Sequence, residues 1–296
     1  MPSLVARMLA VAFRVARKRP METVEGARER IEEAKDDPEP PHWVAKRHEI
    51  NRRTVGDFQS YTVLPRERGD GPGKAVLYVH GGSYISEISP WHWVLISRMA
   101  DAGCRVEVPV YGLAPRYTYR EAFGFLHTVY RELLEHAAPE RTVFAGDSAG
   151  AGLALALTQT LPGEGLPRPA RLILVSPWAD LTMSNPDIAE VEGRDPWLSP
   201  VGLREAAKAW AGGDSLSDPR LSPINGPLAD LPPIDLYIGT RDVFLPDTRR
   251  LRDLVAQAGG EVELHEEAGA FHVYPLVPVP EGSRARAAII GTVQDL

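Results

Sequence analysis

The stretch RTVFAGDSAGAGLALALTQT, residues 141–160, carries the strongest fold signal in the chain. An apolar run is followed by GDSAG at 146–150 and then by apolar residues at helical spacing. The form G-x-S-x-G is typical of a sharp, strained turn from a strand into a helix. We therefore predict that this turn lifts the Ser148 hydroxyl clear of a sheet. The alternative is an ordinary tight turn with a surface serine.

Short apolar runs recur on both sides of this stretch, and most are separated by segments with helical spacing. This alternation indicates a mostly parallel sheet covered by helices on both faces. Two early strands joined through Gly56-Asp57 suit a tight hairpin. The predicted strands span 47–55, 58–64, 75–79, 106–110, 142–145, 172–175, 234–238 and 262–264, and the predicted helices span 90–102, 120–136, 149–160, 200–211 and 246–258.

One interval breaks this alternation. About sixty residues separate the strand at 172–175 from the strand at 234–238, which is roughly twice the other crossovers. The helical segment 200–211 lies inside it, between loops rich in Pro, Gly, Asp and Ser. An insertion of this length at a strand end predicts a lid or cap.

Composition narrows the classes of function. The chain has 296 residues, of which 44% are hydrophobic and 25% charged, as in an ordinary soluble globular protein. Its single cysteine, Cys104, excludes an intramolecular disulfide and a four-cysteine metal site, and it suits the cytoplasmic location that we expect. The formal net charge of −7, without a dominant basic patch, argues against a nucleic-acid partner.

The N-terminal segment is amphipathic. Residues 4–15 are mostly apolar, but Arg7 and Arg14 interrupt them and a basic cluster follows at 17–19. This charge order is unlike that of a signal peptide, and the run is too short and too charged to insert stably in a bilayer. We predict a helix that covers another part of the protein, with docking on a membrane surface as the alternative. The acidic residues 20–41, which end in a proline-rich stretch, are interpreted as a linker.

A second motif, His80-Gly81-Gly82-Ser83-Tyr84, follows the predicted strand at 75–79. Glycines allow backbone N–H groups to approach a ligand closely, so this loop is a candidate oxyanion hole. Its donors would be the N–H groups of Gly82 and Ser83, with Gly81 as a further candidate. The N–H of Ala149, after the serine, would join them. His80 is interpreted as a residue that shapes the loop, and a simple glycine loop is the alternative for the whole motif.

A serine nucleophile needs a base and an orienting carboxylate. Asp242 follows the strand at 234–238, and His272 follows the strand at 262–264, so both are expected at the carboxyl edge of the sheet. The order Ser, Asp, His agrees with a G-x-S-x-G hydrolase. Asp247 is the rival acid, but Pro246-Asp247 resembles a helix start, where an acid favours the helix dipole. His265 is expected within the last strand, away from the serine.

Aromatic residues give a weaker signal for a substrate pocket. Tyr84, Trp91, Trp178 and Trp197 are candidates, together with Trp93, although aromatic side chains more often fill a core. Trp178 and Trp197 lie in predicted loops. We therefore favour Trp178 and Trp197, with Tyr84, as pocket residues.

Taken together, these motifs resemble the hormone-sensitive-lipase-like esterases, the bacterial family IV branch of the α/β-hydrolase fold. The resemblance covers roughly residues 45–290 and also includes SPWADLT at 176–182, GTRDVFLPD at 239–247 and FHVYPL at 271–276. It implies an eight-stranded, mostly parallel sheet with a helical cap. The implied divisions are cap helices at 1–45, a core at 46–182, a cap insertion at 183–228 and the rest of the core at 229–296.

Two departures from the family pattern stand out. Many members have three glycines after the first histidine, whereas this chain has Ser83 in the third place. Many members carry Asp-Pro-Leu where this chain has Asp242-Val243-Phe244. Neither departure removes a catalytic group, because the oxyanion donor is a backbone N–H and the acid is retained.

The sequence thus predicts a serine hydrolase for carboxylic esters that needs no metal or cofactor, and the resemblance implies small substrates with short acyl groups. A deacetylase, amidase or lactonase with the same triad is the alternative, and a non-catalytic small-molecule receptor on this fold is a more distant one. The sequence leaves open whether the chain forms a homodimer.

Overall fold

A computed structural model describes residues 2–66 and 73–296 of the chain. Its strands form one eight-stranded sheet in the order β1-β2-β4-β3-β5-β6-β7-β8. The strands are β1 Glu49–Val55, β2 Phe58–Leu64, β3 Lys74–Val79, β4 Cys104–Val110, β5 Thr142–Asp147, β6 Arg171–Val175, β7 Ile234–Gly239 and β8 Val262–Glu267.

Among the strands of the described residues, β2 alone runs in the direction opposite to the others. It pairs antiparallel with β1 and with β4, and the remaining pairs from β4 to β8 are parallel. Gly56 takes a φ of 59° in the β1–β2 turn, a conformation that costs glycine little. The predicted hairpin and the eight-stranded, mostly parallel α/β-hydrolase sheet are both confirmed.

Helices cover both faces of the sheet, as predicted. Alternation along β3 shows why: Val76 and Tyr78 pack in one hydrophobic layer, whereas Leu77 and Val79 pack in the other. The helices are α1 Leu4–Phe13, α2 Val24–Glu32, α3 His42–Arg47, α4 Pro90–Asp101, α5 Tyr119–Leu133, α6 Ser148–Thr160, α7 Ile188–Glu192, α8 Pro200–Ala211, α9 Leu245–Gln257 and α10 Pro280–Gln294.

The sheet faces are covered by different helices. Buried residues of α4 and α10 pack on the sheet face that bears Val76. Buried residues of α5, α6 and α9 pack on the opposite face, which bears Leu77. The edge strand β8 differs from the expected apolar pattern, because its side chains are mostly half-buried or exposed. An edge strand has one neighbour only and is less covered, so fewer apolar side chains are needed there.

The N-terminal segment packs on the long insertion between β6 and β7. Residues 20–41 are more than a linker, since α2 buries Ala27 and Ile31 and lies against α8. Arg28 of α2 pairs with Glu205 of α8 at 3.0 Å. Among the described residues, no helix is both long and apolar enough to cross a membrane.

Candidate active site

The β5–α6 turn holds Ser148 in a left-handed backbone conformation. β5 ends at Asp147, α6 begins at Ser148, and the φ of Ser148 is 52°. A side chain at Gly146 would come within 2.7 Å of the Val79 carbonyl oxygen, and a side chain at Gly150 would overlap that same oxygen. The two glycines of the motif therefore let this turn pack closely against the end of β3, where the His80–Tyr84 loop begins.

Ser148, His272 and Asp242 form a continuous hydrogen-bonded chain. His272 Nε2 lies 2.9 Å from Ser148 Oγ, and His272 Nδ1 lies 2.9 Å from Asp242 Oδ2. The other Asp242 oxygen accepts a hydrogen bond from the Phe244 N–H at 3.0 Å. All three side chains are buried. The structure thus brings together the three residues that sequence reasoning selected.

The electrostatics of His272 suit a base that is oriented by an acid. Burial opposes protonation of the imidazole, but the charge and hydrogen bond of Asp242, together with the charges of Asp195 and Asp147, raise the pKa of His272. Since Asp242 accepts the Nδ1–H, the neutral ring carries its free lone pair on Nε2, toward Ser148. This arrangement can take a proton from the serine hydroxyl and hold the resulting imidazolium.

The loop after His272 is strained and pinned. Val273 has a φ of 46°, which is unfavourable for a β-branched residue. Its N–H donates to Ser176 Oγ at 3.0 Å, and Ser176 itself follows β6 with a φ of 48°. Ser176 therefore fixes the backbone that presents His272, a role that its place in SPWADLT did not reveal.

The rival residues lie elsewhere. Asp247, in the first turn of α9, accepts a hydrogen bond from Asn185 at 2.8 Å, and burial raises the pKa of Asp247 to about 6. His265 lies on β8 and stacks on Tyr237 with a centroid distance of 4.4 Å. His265 is also near Asp235 and Glu263, but Asp235 is paired with Arg171 at 3.0 Å.

The loop after β3 presents its backbone toward the serine. Gly82, Ser83 and Tyr84 have φ values of 124°, 54° and 63° in succession, so the chain curls tightly. Within the described part of the chain, no hydrogen-bond acceptor meets the N–H of Gly82 or of Ser83. The N–H of Ala149 lies in the first turn of α6, where no intrahelical acceptor exists.

Gly81 differs from the expectation. Its N–H donates to Asp147 Oδ1 at 3.1 Å, so this N–H is not available for an oxyanion. A side chain at Gly81 would overlap Asp147, which explains the glycine. His80 stacks on Tyr111 at 4.6 Å and bonds through Nδ1 to the Gly81 carbonyl, and burial lowers the pKa of His80 to about 4. A neutral, enclosed His80 shapes the loop.

Asp147 is a residue that sequence reasoning missed. Besides the Gly81 N–H, its carboxylate accepts hydrogen bonds from Tyr78 at 2.8 Å and from His92 Nε2 at 3.1 Å. Burial would raise its pKa, but His92 and the hydrogen bonds hold the pKa of Asp147 below its ordinary value. Asp147 thereby ties the turn that bears Ser148 to the loop after β3. Its position beside the serine, at the end of an apolar strand, was the available signal.

Asp195 is a second buried carboxylate that was missed. It lies in the insertion and accepts hydrogen bonds from the N–H groups of Trp197 at 2.7 Å, Leu198 at 3.0 Å and Val243 at 2.9 Å. Burial and the nearby charge of Asp242 raise the pKa of Asp195 to about 6. Asp195 therefore connects the insertion to the loop that carries Asp242.

A cavity of 390 Å³ opens at Ser148 and His272. Trp197, as expected, lines it, and so does Trp91, which sequence reasoning ranked lower. The predictions for Tyr84 and Trp178 as lining residues are wrong, because both are core residues. Tyr84 donates to the Ala149 carbonyl at 2.8 Å and stacks between Trp210 and Trp178, and Trp178 is 0% exposed.

Comparison with known proteins agrees with this geometry. Residues 76–276 match a protein family described as having the alpha/beta hydrolase fold. An acetyl-hydrolase of Streptomyces hygroscopicus is 36% identical over 236 residues, which cover 78% of each chain. An esterase of Acinetobacter venetianus is 32% identical, over 72% of each chain. A solved esterase from the bacterial hormone-sensitive lipase family superposes with a TM-score of 0.83 at 27% identity, covering 100% of this chain and 99% of the other. The chain therefore belongs to the α/β-hydrolase family, in its hormone-sensitive-lipase-like esterase branch.

Proposed function

We propose that this protein hydrolyses carboxylic esters through an acyl-enzyme on Ser148. The observation that carries the proposal is the pair of hydrogen bonds, each 2.9 Å long, that links Ser148 Oγ to His272 and His272 to Asp242. A serine hydroxyl is a weak nucleophile unless an adjacent base accepts its proton. The cavity at Ser148 gives an ester carbonyl access to that hydroxyl.

The proposed reaction has two halves. His272 Nε2 takes the proton of Ser148 as Oγ attacks the carbonyl carbon, and His272 then gives this proton to the departing alkoxide. In the second half, His272 takes a proton from water, the resulting hydroxide attacks the acyl-enzyme, and the proton returns to Ser148 as the acid leaves. Asp242 holds the histidine tautomer and stabilises the imidazolium throughout. These steps need no metal or cofactor.

The oxyanion that forms in each half requires donors on one side of Ser148. We assign this role to the N–H groups of Gly82, Ser83 and Ala149. Each such donor typically stabilises the tetrahedral intermediate over the ground state by about 3 kcal/mol. Asp147 accepts a hydrogen bond from the Gly81 N–H and so holds the loop after β3 against the turn that bears Ser148.

We propose small esters with short acyl groups as substrates. The aromatic walls formed by Trp91 and Trp197 favour an apolar acyl or alcohol group, and a cavity of 390 Å³ limits its size. The acetyl-hydrolase among the relatives acts, by its name, on acetyl groups. In this proposal residues 1–45 and 183–228 form the cap that selects the substrate. We also propose a cytoplasmic location, which the free thiol of Cys104 supports.

The test is an acyl-length series of p-nitrophenyl esters, from acetate to palmitate. We expect the highest kcat/KM on the short esters and a loss of at least about 10⁴-fold in kcat for Ser148→Ala, as for other triad removals. Circular dichroism checks that the variant is folded. A folded Ser148→Ala protein with nearly full activity would rule out the proposal.

Parallel assays separate the alternatives. Aryl acetamides and lactones, tested beside the esters, decide between an esterase and an amidase or lactonase with the same triad. A fluorophosphonate probe should label the wild-type protein and leave Ser148→Ala unlabelled. A folded wild-type protein that resists the probe and hydrolyses none of these compounds would indicate a non-catalytic receptor.

A further inference from the structure

The outer face of residues 4–15, which comprise α1 and the start of the turn after it, exposes an unusual number of apolar side chains. Seven large hydrophobic residues are exposed in the described ranges, and five of them lie between residues 4 and 15. Leu4 is 70% exposed, Met8 67% and Val11 68%. The five residues of this outer face are Leu4, Val5, Met8, Val11 and Val15. Such a concentration on one helix marks an interaction surface rather than scattered surface hydrophobicity.

The helix is held firmly with this face outward. Ser3 caps its N-terminus and bonds to Glu281 of α10. Beyond its C-terminus, Lys18 donates to the Asp195 carbonyl at 2.8 Å. The inner face buries Phe13 against Trp197, with ring centroids 4.3 Å apart. The inner face thus has its partners in the fold, whereas the outer face stays exposed against residues 2–66 and 73–296 and is open to a partner outside the chain.

Charge on the same segment indicates the kind of partner. Residues 1–21 contain no Asp or Glu, although the whole chain has a formal net charge of −7. Arg7, Arg14, Arg17 and Arg19 are all exposed. Arg7 and Arg14 are two helical turns apart and so follow one edge of the outer face, where Arg14 also donates to the Gly193 carbonyl at 2.8 Å. An antiparallel symmetric contact with a second copy would bring these edges together, and the like charges would repel.

We propose that the outer face of α1 docks on the surface of an anionic lipid membrane. The apolar side chains would enter the boundary between headgroups and acyl chains, and the arginines would contact acidic headgroups. Arg17 borders the cavity of Ser148, so docking would turn the mouth of the active site toward the lipid. This binding is independent of the ester chemistry proposed above.

Co-sedimentation with lipid vesicles tests the proposal. We expect the protein to bind phosphatidylcholine vesicles that contain about one third phosphatidylglycerol, and to bind pure phosphatidylcholine vesicles more weakly. Met8→Gln with Val11→Gln should reduce binding at least about tenfold, because two apolar side chains no longer enter the lipid. Arg7→Gln should reduce binding to the anionic vesicles about fivefold, the contribution of one basic residue near such a surface.

A matched control uses Val24 and Trp43, the large hydrophobic residues outside this face that are exposed in the described ranges. Val24→Gln with Trp43→Gln removes the same kind of side chain from α2 and α3 and should leave vesicle binding unchanged. Circular dichroism spectra that match the wild-type spectrum check that both double variants are folded. The proposal is overturned if the wild-type protein stays in the supernatant, if binding survives the Met8 and Val11 substitutions, or if both vesicle types bind equally. A dimer in size-exclusion chromatography that the same double variant disrupts, without vesicle binding, would assign the face to a second copy.

Discussion

The carboxyl edge of the sheet and the cap differ in how they are held. At the sheet edge, Ser148, Asp242 and His272 follow separate strands, and hydrogen bonds fix each side chain. The proposed cap, residues 1–45 and 183–228, adds Trp197 to the wall of the same cavity, and this side chain is held by aromatic packing on Phe13. Directional bonds hold atoms to within tenths of an ångström, whereas apolar contacts tolerate repacking.

This difference assigns two tasks. Chemistry needs a fixed distance between nucleophile, base and oxyanion donors, and the sheet edge supplies it. Selection of a substrate needs walls whose size can change without loss of the reaction, and in our proposal the cap supplies them. Substitutions at the sheet edge should therefore lower kcat, and substitutions of cap residues that line the cavity should change KM and acyl preference.

Among these variants we expect the largest loss of kcat for Asp242→Asn, at the sheet edge. The variant cannot hold the histidine tautomer that leaves Nε2 free, so kcat should fall about 10³- to 10⁴-fold with little change in KM. Steady-state kinetics on p-nitrophenyl acetate measures this. Asp247→Asn is the matched control, since Asp247 is also a buried acid and lies only five residues away. Its kcat should stay within about threefold of wild type. A greater loss in Asp247→Asn than in Asp242→Asn would mean that the acid is misassigned.

The sequence predicted the sheet well because its strands are locally encoded. The β5–α6 unit combines an apolar run, a glycine-flanked turn and a helical pattern within twenty residues, and no distant contact is needed to interpret it. The order of Ser148, Asp242 and His272 could be inferred for the same reason, since each follows a strand. The helix α2 was harder, because its acidic composition conceals the few side chains that pack on α8.

What the sequence could not predict depends on contacts between distant segments. Gly81 looks like any loop glycine, and only the fold directs its N–H to Asp147. Tyr84 and Trp178 are as aromatic as Trp197, and burial alone separates core from cavity wall. Asp195 sits in an insertion without a recognisable pattern, 47 residues before Asp242, and it becomes meaningful only where it meets the Val243 N–H.

Asp195 tests whether the cap and the sheet edge are separate in function. It lies in the proposed cap, and yet it accepts a hydrogen bond from the Val243 N–H, next to Asp242. The carboxylate of Asp195 accepts hydrogen bonds from backbone N–H groups. In an Asn at this position the side-chain NH₂ would face one of these N–H groups, and that hydrogen bond would be lost. We expect Asp195→Asn to lower kcat about tenfold through displacement of the loop that carries Asp242. Glu190→Gln, an exposed acid in the same insertion, is the control and should leave kcat unchanged.

The pH profile of Asp195→Asn distinguishes positioning from a general loss of structure. His272 must be neutral to act as a base, so activity falls as the pH drops through the raised pKa of His272. Burial lowers the pKa of His272, Asp242 raises it, and the charge of Asp195 raises it further by a smaller amount. Its removal should shift the acidic limb of kcat/KM toward lower pH. An unshifted limb, with the same loss of kcat, would mean that Asp195 supports only the fold of the loop.

We expect the smallest change in the kinetic constants for a substitution in the wall of the cavity, Trp197→Leu. Leucine keeps an apolar side chain against Phe13 but gives up part of the aromatic surface beside His272. We expect KM for p-nitrophenyl acetate to rise about three- to tenfold, kcat to change less than about threefold, and preference to move toward longer acyl groups. Trp43→Leu, at a tryptophan outside this cavity, should change none of these values. If Trp197→Leu instead lowered kcat as strongly as a sheet-edge substitution, the cap would have to be counted among the elements that align His272. The assignment of catalysis to the sheet edge and of substrate selection to the cap would then be wrong for this residue.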